Sequence, residues 1–147
     1  MQIRFLGQGD EDILIRAAVF IDEGEIGRQK AAAHLANEDL VALAALEGDD
    51  LVGFIYGFVL RRFECTSLFI YSVDVAAHAR QRGVGAAMLA ALHNRAKAAG
   101  WDEAFVFTNA SNAAAMALYQ GAGGIRPNQD DVMFDFHWVA DFASGRP

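Results

Sequence analysis

The alternation of apolar and polar positions divides the chain into short segments of distinct type. Ile3 and Phe5, separated by a polar residue near the N-terminus, predict a first strand over residues 1–5. Over residues 10–18, Asp10, Glu11 and Asp12 precede Ile13, Leu14, Ala17 and Ala18, the spacing of a short helix with negative charge at its N-terminal end. Residues 20–27 are acidic and broken by glycine, which predicts a loop, and a second helix follows over residues 28–35. Two apolar runs, 40–46 and 51–60, flank Glu47-Gly48-Asp49-Asp50 and have the composition of a β-hairpin. Residues 68–75, rich in β-branched and aromatic side chains, predict a further strand antiparallel to that hairpin.

The stretch from Val75 to Ala86 organises the rest. A strand runs into a glycine-containing loop, and Val84, Met88, Leu89, Leu92 and Ala96 then recur at helical spacing up to Gly100, a C-cap. Gly83 and Gly85 lack a Cβ, so a ligand can approach the backbone where the first-turn amides of the helix point outward, an arrangement suited to an anion. The same residues also describe a turn with a solvated basic tip. No Gly-Lys-Ser/Thr follows, so the loop is not a Walker A motif, and the second half of a dinucleotide fingerprint is missing. Residues 104–108 predict a strand parallel to the one before the loop. Ser111 or Asn112 then caps a helix running through Tyr119, and Val132 to Trp138 predicts a last strand.

Arg80-x-x-Gly83-x-Gly85 after a strand ending Val-x-Val resembles the pyrophosphate loop of the GCN5-related N-acetyltransferases. Asn112-x-x-Ala115-x-x-Leu118-Tyr119-x-x-x-Gly123 looks like the second element of that superfamily. The resemblance implies an α/β fold: a mixed, mostly antiparallel central sheet flanked by helices, with a parallel strand pair splayed around an acetyl-CoA site. It implies acetyl-CoA, or coenzyme A, as cofactor. The residues that would bind it are Val73, Val75, Arg80, Gln81, Arg82, Gly83, Val84, Gly85, Ala86, Asn112, Ala115 and Tyr119. Within the superfamily, residues 41–45, 51–53, 56–64, Ile70-Tyr71 and 132–134 are similar to the aminoglycoside 3-N-acetyltransferases. Those enzymes carry an aspartate where this chain has Ser72 and an alanine where it has Asp74. Since side chains two apart on a strand share a face, either Asp74 takes over the acidic role or the substrate differs.

The implied chemistry is acyl transfer from a thioester to an amine, with the 3-amino group of an aminoglycoside as the first acceptor. A polyamine, a peptide N-terminus, or a silent module that binds acyl-CoA without turnover are the alternatives. A protonated amine is no nucleophile, so a carboxylate must take its proton. Asp74 is the first candidate base, against a structural or substrate-binding role, and Asp135 on the last strand is the reserve. The resemblance places Tyr119 at the departing thiolate and an oxyanion at the amide of Val73 or Val75. A phenol near pKa 10 and a thiol near 8.5 make full proton transfer uphill by about 2 kcal/mol, so Tyr119 is expected to donate a hydrogen bond. Tyr119 also reads as a core aromatic at helical spacing. Asp22, Glu23, Glu25, Tyr71, Ser72 and Asp135 are the candidate substrate contacts, with the acidic loop reading equally as a solvated surface.

Composition narrows the classes. At 147 residues the chain is expected to form a single domain, residues 1–147, burying roughly 70% of its unfolded surface. A formal net charge of −7 disfavours a general nucleic-acid binder and permits a cationic small-molecule acceptor. No apolar run reaches the roughly 18 residues of a membrane helix, and the start of the chain reads as a strand rather than a signal peptide. A lone Cys65 agrees with a reducing compartment, so a cytoplasmic protein is expected. His34, His78, His93 and His137 show no metal-ligand spacing, and no metal is expected. A homodimer with Trp101 or Trp138 at its interface stays open.

Overall fold

The computed structural model describes residues 1–138. Its centre is a five-stranded sheet in the order β1-β2-β3-β4-β5: Gln2–Phe5, Leu40–Glu47, Asp50–Arg61, Thr66–Val75 and Glu103–Val106. The first four strands pair antiparallel, and β4 pairs with β5 in parallel, as the strand–helix–strand order predicts. Helices α1 (Glu11–Phe20) and α2 (Arg28–Leu35) cover one face of the sheet. Helix α3 (Val84–Ala99) covers the other, and α4 (Ala113–Gly121) meets α3 at its N-terminal end.

Period-two alternation sorts the strands between these layers. Val41, Leu43 and Ala45 of β2 and Ile55 of β3 pack with Val84, Met88 and Leu92 of α3. Ala42, Ala44 and Leu46 with Phe54 pack with Leu14, Ala17 and Ala31 of α1 and α2. Small alanines on β2 let those helices lie close to the sheet. Gly100 caps α3, its amide reaching the carbonyls of Ala96 and Lys97 as the sequence predicts.

A register shift falls between Ala45 and Leu46 of β2, and another breaks the alternation in β4. Tyr56 pairs with Ser72 but Gly57 pairs with Ile70, so Tyr71 is one extra residue on β4 at that step of the ladder: a β-bulge. Ile70 packs toward α3, and so do Val73 and Val75 beyond the bulge. Ser72 and Asp74 therefore turn to the opposite face, across from Tyr56 and Phe54. Gly57 makes this possible. A Cβ there would overlap the Phe69 carbonyl oxygen and stand 3.1 Å from Ile70 Cα.

One predicted strand is not formed. Residues 131–138 have no regular structure, and Val132, Met133, Phe134, Phe136 and Trp138 are exposed. Their alternation gives them the capacity to pair. Among the described residues no strand is laid beside them and their large apolar side chains are exposed, so the two things that hold a strand are missing. The remainder of the chain lies outside the described residues.

Candidate active site

The site begins where β5 stops. β4 and β5 pair from Ser67↔Glu103 to Ile70↔Val106, after which β4 runs on alone to Val75. The amide of Ala76 donates to Val52 O at 2.9 Å on the β3 side. Amides along a strand alternate between its two edges, so those of Val73 and Val75 face the opened side, where β5 no longer takes them. One or the other of these is the amide that the family resemblance implies for an oxyanion.

Beyond Val75 a single 3₁₀ turn, Ala77–Ala79, leads into the glycine loop. Arg80 Nε donates to Val75 O at 3.2 Å, tying the loop to the strand end. Gln81 (φ 59°) and Gly83 (φ 80°) both adopt the left-handed conformation, which only glycine takes without cost. The first intrahelical bond of α3 runs from Ala87 to Gly83 O at 2.9 Å, so the amides ahead of it are left at the helix end. Nothing lies within 4 Å of where a Gly83 Cβ would stand, so the loop is open to an approaching group. A cluster of outward amides at the positive end of a four-turn helix fits a diphosphate.

Two readings of this loop change in the folded chain. Gly85 is buried, and a Cβ there would stand 3.1 Å from the methyl groups of Leu118. Its small size serves the contact between α3 and α4 rather than ligand approach. The guanidinium of Arg82 is held by Glu47 at 2.7 Å, which leaves the loop amides as the principal anion donors. Val84 points into the core, so only the backbone of Val84, Gly85 and Ala86 faces the opening.

Asn112 caps α4 by accepting from the amide of Ala115 at 3.1 Å, which settles the choice between Ser111 and Asn112. That cap fixes the helix carrying Tyr119. The Tyr119 phenol is pushed above its ordinary pKa, first by burial and then by the negative charge of Asp74. The charge of Asp74 thus reaches the Tyr119 phenol, although 45 positions and an intervening helix separate them in the chain. Ser72 Oγ donates to Asp74 Oδ2 and orients that carboxylate.

On the same face of the sheet lies a hollow of about 270 Å³ between the α1–α2 loop and β3–β4. Of the predicted substrate contacts, Glu23 and Tyr71 line it. Glu23 accepts from the Tyr56 hydroxyl at 3.2 Å, which fixes this one carboxylate of the acidic loop. Asp22 and Glu25 are exposed, and Asp135 lies on the irregular stretch with no strand to carry it to the opening. The sequence reading missed Phe54, Tyr56 and Phe58, whose spacing of two was the available signal, and also Lys30 and His34. Among the described residues no cluster of His, Cys, Asp or Glu could hold a metal ion, and no helix is long and apolar enough to cross a membrane.

A search of the curated proteins gave no match. Solved structures do share the fold. An aminoglycoside acetyltransferase, HMB0005, from an uncultured soil metagenomic sample is 24% identical with a TM-score of 0.83, covering 94% of this chain and 98% of its own. Another from such a sample, meta-AAC0020 in complex with trehalose, is 18% identical with a TM-score of 0.81, covering 94% of this chain and 95% of its own. AAC(6')-Iy in complex with the bisubstrate analog CoA-S-monomethyl-acetylneamine is 17% identical, TM-score 0.76, with 94% and 98% covered. At these identities the likeness speaks for the fold. The sequence itself speaks for the family: the model of the acetyltransferase (GNAT) family matches residues 13–123, from α1 to the turn after α4, and this chain belongs to that family.

Proposed function

We propose that this chain transfers an acetyl group from acetyl-CoA to a primary amine, with Asp74 as the base. The observation that carries this reading is the opening between β4 and β5, where the strand that bears Asp74 leaves amides unpaired by β5 beside the loop amides of α3. Bound there, acetyl-CoA supplies the acyl group: the N–C bond of an amide forms as the thioester C–S bond breaks, and free thiol is released.

The chain's own residues do the rest. The amides ahead of Ala87 bind the diphosphate, with Arg80 and Arg82 at the flanks of the loop. Asp74, held by Ser72, accepts the proton that the ammonium must lose before it can attack. The amide of Val73 or Val75 donates to the oxygen on which negative charge develops. Tyr119 donates a hydrogen bond to the departing sulfur. Its raised pKa keeps the phenol protonated at neutral pH and makes full proton loss costlier than for an ordinary tyrosine.

The sequence resemblance offers the 3-amino group of an aminoglycoside as the first acceptor to try, and two of the similar solved structures are aminoglycoside acetyltransferases. Polyamines and peptide N-termini are the other acceptors to compare, and a silent acyl-CoA binder is the alternative of a different class. Calorimetric titration with coenzyme A, run beside thiol release from acetyl-CoA with each amine, separates these. Binding together with amine-dependent thiol release supports the transferase. Binding without release above background defeats it.

A further inference from the structure

We infer that the acceptor carries an apolar body, aliphatic or aromatic, which occupies the hollow on Asp74's face of the sheet. This rests on the acyl transfer proposed above and concerns only what is attached to the amine. The hollow lies on the face of the sheet that carries the base: Phe54 is the cross-strand partner of Asp74 and Tyr56 that of Ser72, and both rings line it. Phe58, Tyr71 and Ile21 continue its wall, with Leu14, Ala18 and Leu40. At about 270 Å³ it lies just below the roughly 300–1,000 Å³ usual for drug-sized ligands.

Its few polar groups argue in the same direction. Glu23, engaged with Tyr56, is the one carboxylate on the wall, while Lys30 and His34 stand at the α2 side. A polyhydroxylated polycation would bring its further ammonium groups against Lys30 and strip water from more hydroxyls than Glu23, His34 and the hydroxyls of Tyr56 and Tyr71 can serve. Each polar group left unpaired in this way weakens binding by about fivefold or more. A monoamine presents its single charge to Asp74 and Glu23 and nothing else that needs a partner.

The wall also extends. Tyr71 lies 5.0 Å from Tyr56 and 5.9 Å from Phe69 between ring centroids, Phe69 stacks on Phe105 at 5.2 Å, and Phe107 lies 6.1 Å from Phe69. Phe105 and Phe107 are 38% and 62% exposed, so a row of rings leads from the hollow to the edge of the sheet. A longer body has a surface to lie on.

The test is thiol release from acetyl-CoA with a series from n-propylamine to n-hexylamine and with 2-phenylethylamine, set against a gentamicin-type aminoglycoside and spermidine. The n-alkylammonium groups have nearly equal acidity, so differences along that series report the body alone. We expect kcat/KM to rise about fourfold per added methylene, the value of burying one such group, and the aminoglycoside and spermidine to fall below hexylamine. Phe58→Ala should flatten that slope, and Ala18→Leu, which fills the hollow, should lower the chain length at which it ends. The wild-type series decides alone should either variant fail to fold. A flat series with turnover of the aminoglycoside overturns this inference and leaves acyl transfer standing. A flat alkyl series is also what coverage of the rings by residues 132–138 or a second copy would give, and it overturns the inference equally. Coenzyme A binding with no thiol release from any amine overturns both.

Discussion

Gly57→Ala is the substitution that tests how the site is built. The added Cβ would overlap the Phe69 carbonyl oxygen and sit 3.1 Å from Ile70 Cα and from the Phe69 carbonyl carbon. These are backbone atoms in the middle of the sheet, so no side chain can swing away; β3 and β4 must separate where the bulge lies. Overpacking of this kind costs about 1–3 kcal/mol. Each ladder hydrogen bond weakened adds about 1 kcal/mol, and the stiffer unfolded chain returns about 0.4–1 kcal/mol. The net is a loss of about 2–4 kcal/mol, which in a chain of this size lowers Tm by roughly 5–15 °C. Gly121→Ala is the control: its Cβ would meet nothing within 4 Å at the end of α4, and it should hold or raise Tm, by up to about 1 kcal/mol of helix propensity. Scanning calorimetry on the three proteins reads the difference. A Gly57→Ala protein melting within about 2 °C of wild type refutes the claim that this contact holds the bulge. The bulge also sets the face of Ser72 and Asp74, so the variant should lose acetyl transfer well below its melting temperature.

Other predictions follow from the same geometry. Asp74→Asn should cut kcat/KM by about 10²–10⁴ at neutral pH, and the deficit should shrink as pH rises toward the amine's own pKa, because a neutral amine needs no base; a pH-independent ratio in steady-state assays would speak against that role. Ultraviolet titration should show a phenol ionising above the ordinary range that disappears in Tyr119→Phe, and Asp74→Asn should move it part of the way down, since burial persists when the charge is gone. The linked stability has a definite sign: with its folded pKa raised, Tyr119 favours the folded state below the unfolded phenol pKa and this is lost as pH rises through the folded value, so Tyr119→Phe should reduce the fall in Tm at alkaline pH. Gly83→Ala should weaken coenzyme A binding more than Arg82→Ala in a calorimetric titration, because the first strains the left-handed turn that presents the amides and the second removes a guanidinium already paired with Glu47.

Much of this architecture was legible in the residues. The strand–loop–helix from β4 to α3 followed from local patterning, since each piece carries its own signal: aromatic and β-branched residues, then glycines, then apolar positions at helical spacing. The bulge left a trace too, because Ile70 and then Val73 and Val75 break the period of two. What local pattern lacked was a partner. Nothing in residues 132–138 says whether a strand edge is there to receive them, and nothing at Gly85 says that Leu118 will pack on it. The hollow depends on Ile21 and Glu23 arriving over Tyr56 from a distant loop, a tertiary event that no window of sequence contains. Asp74 became a candidate through its place two residues from Ser72, whereas the effect of its charge on Tyr119 appears only in the fold.

The most direct test of the central claim is detection of the product itself. Wild type and Asp74→Ala would be incubated with acetyl-CoA and each amine in turn, and the amine examined by mass spectrometry for the gain of one acetyl group alongside the release of one thiol. The account predicts an acetylated amine formed by the wild type, in one-to-one ratio with free thiol, and its near absence with Asp74→Ala at neutral pH. Thiol release without an acetylated amine, or equal product from both proteins, would contradict it.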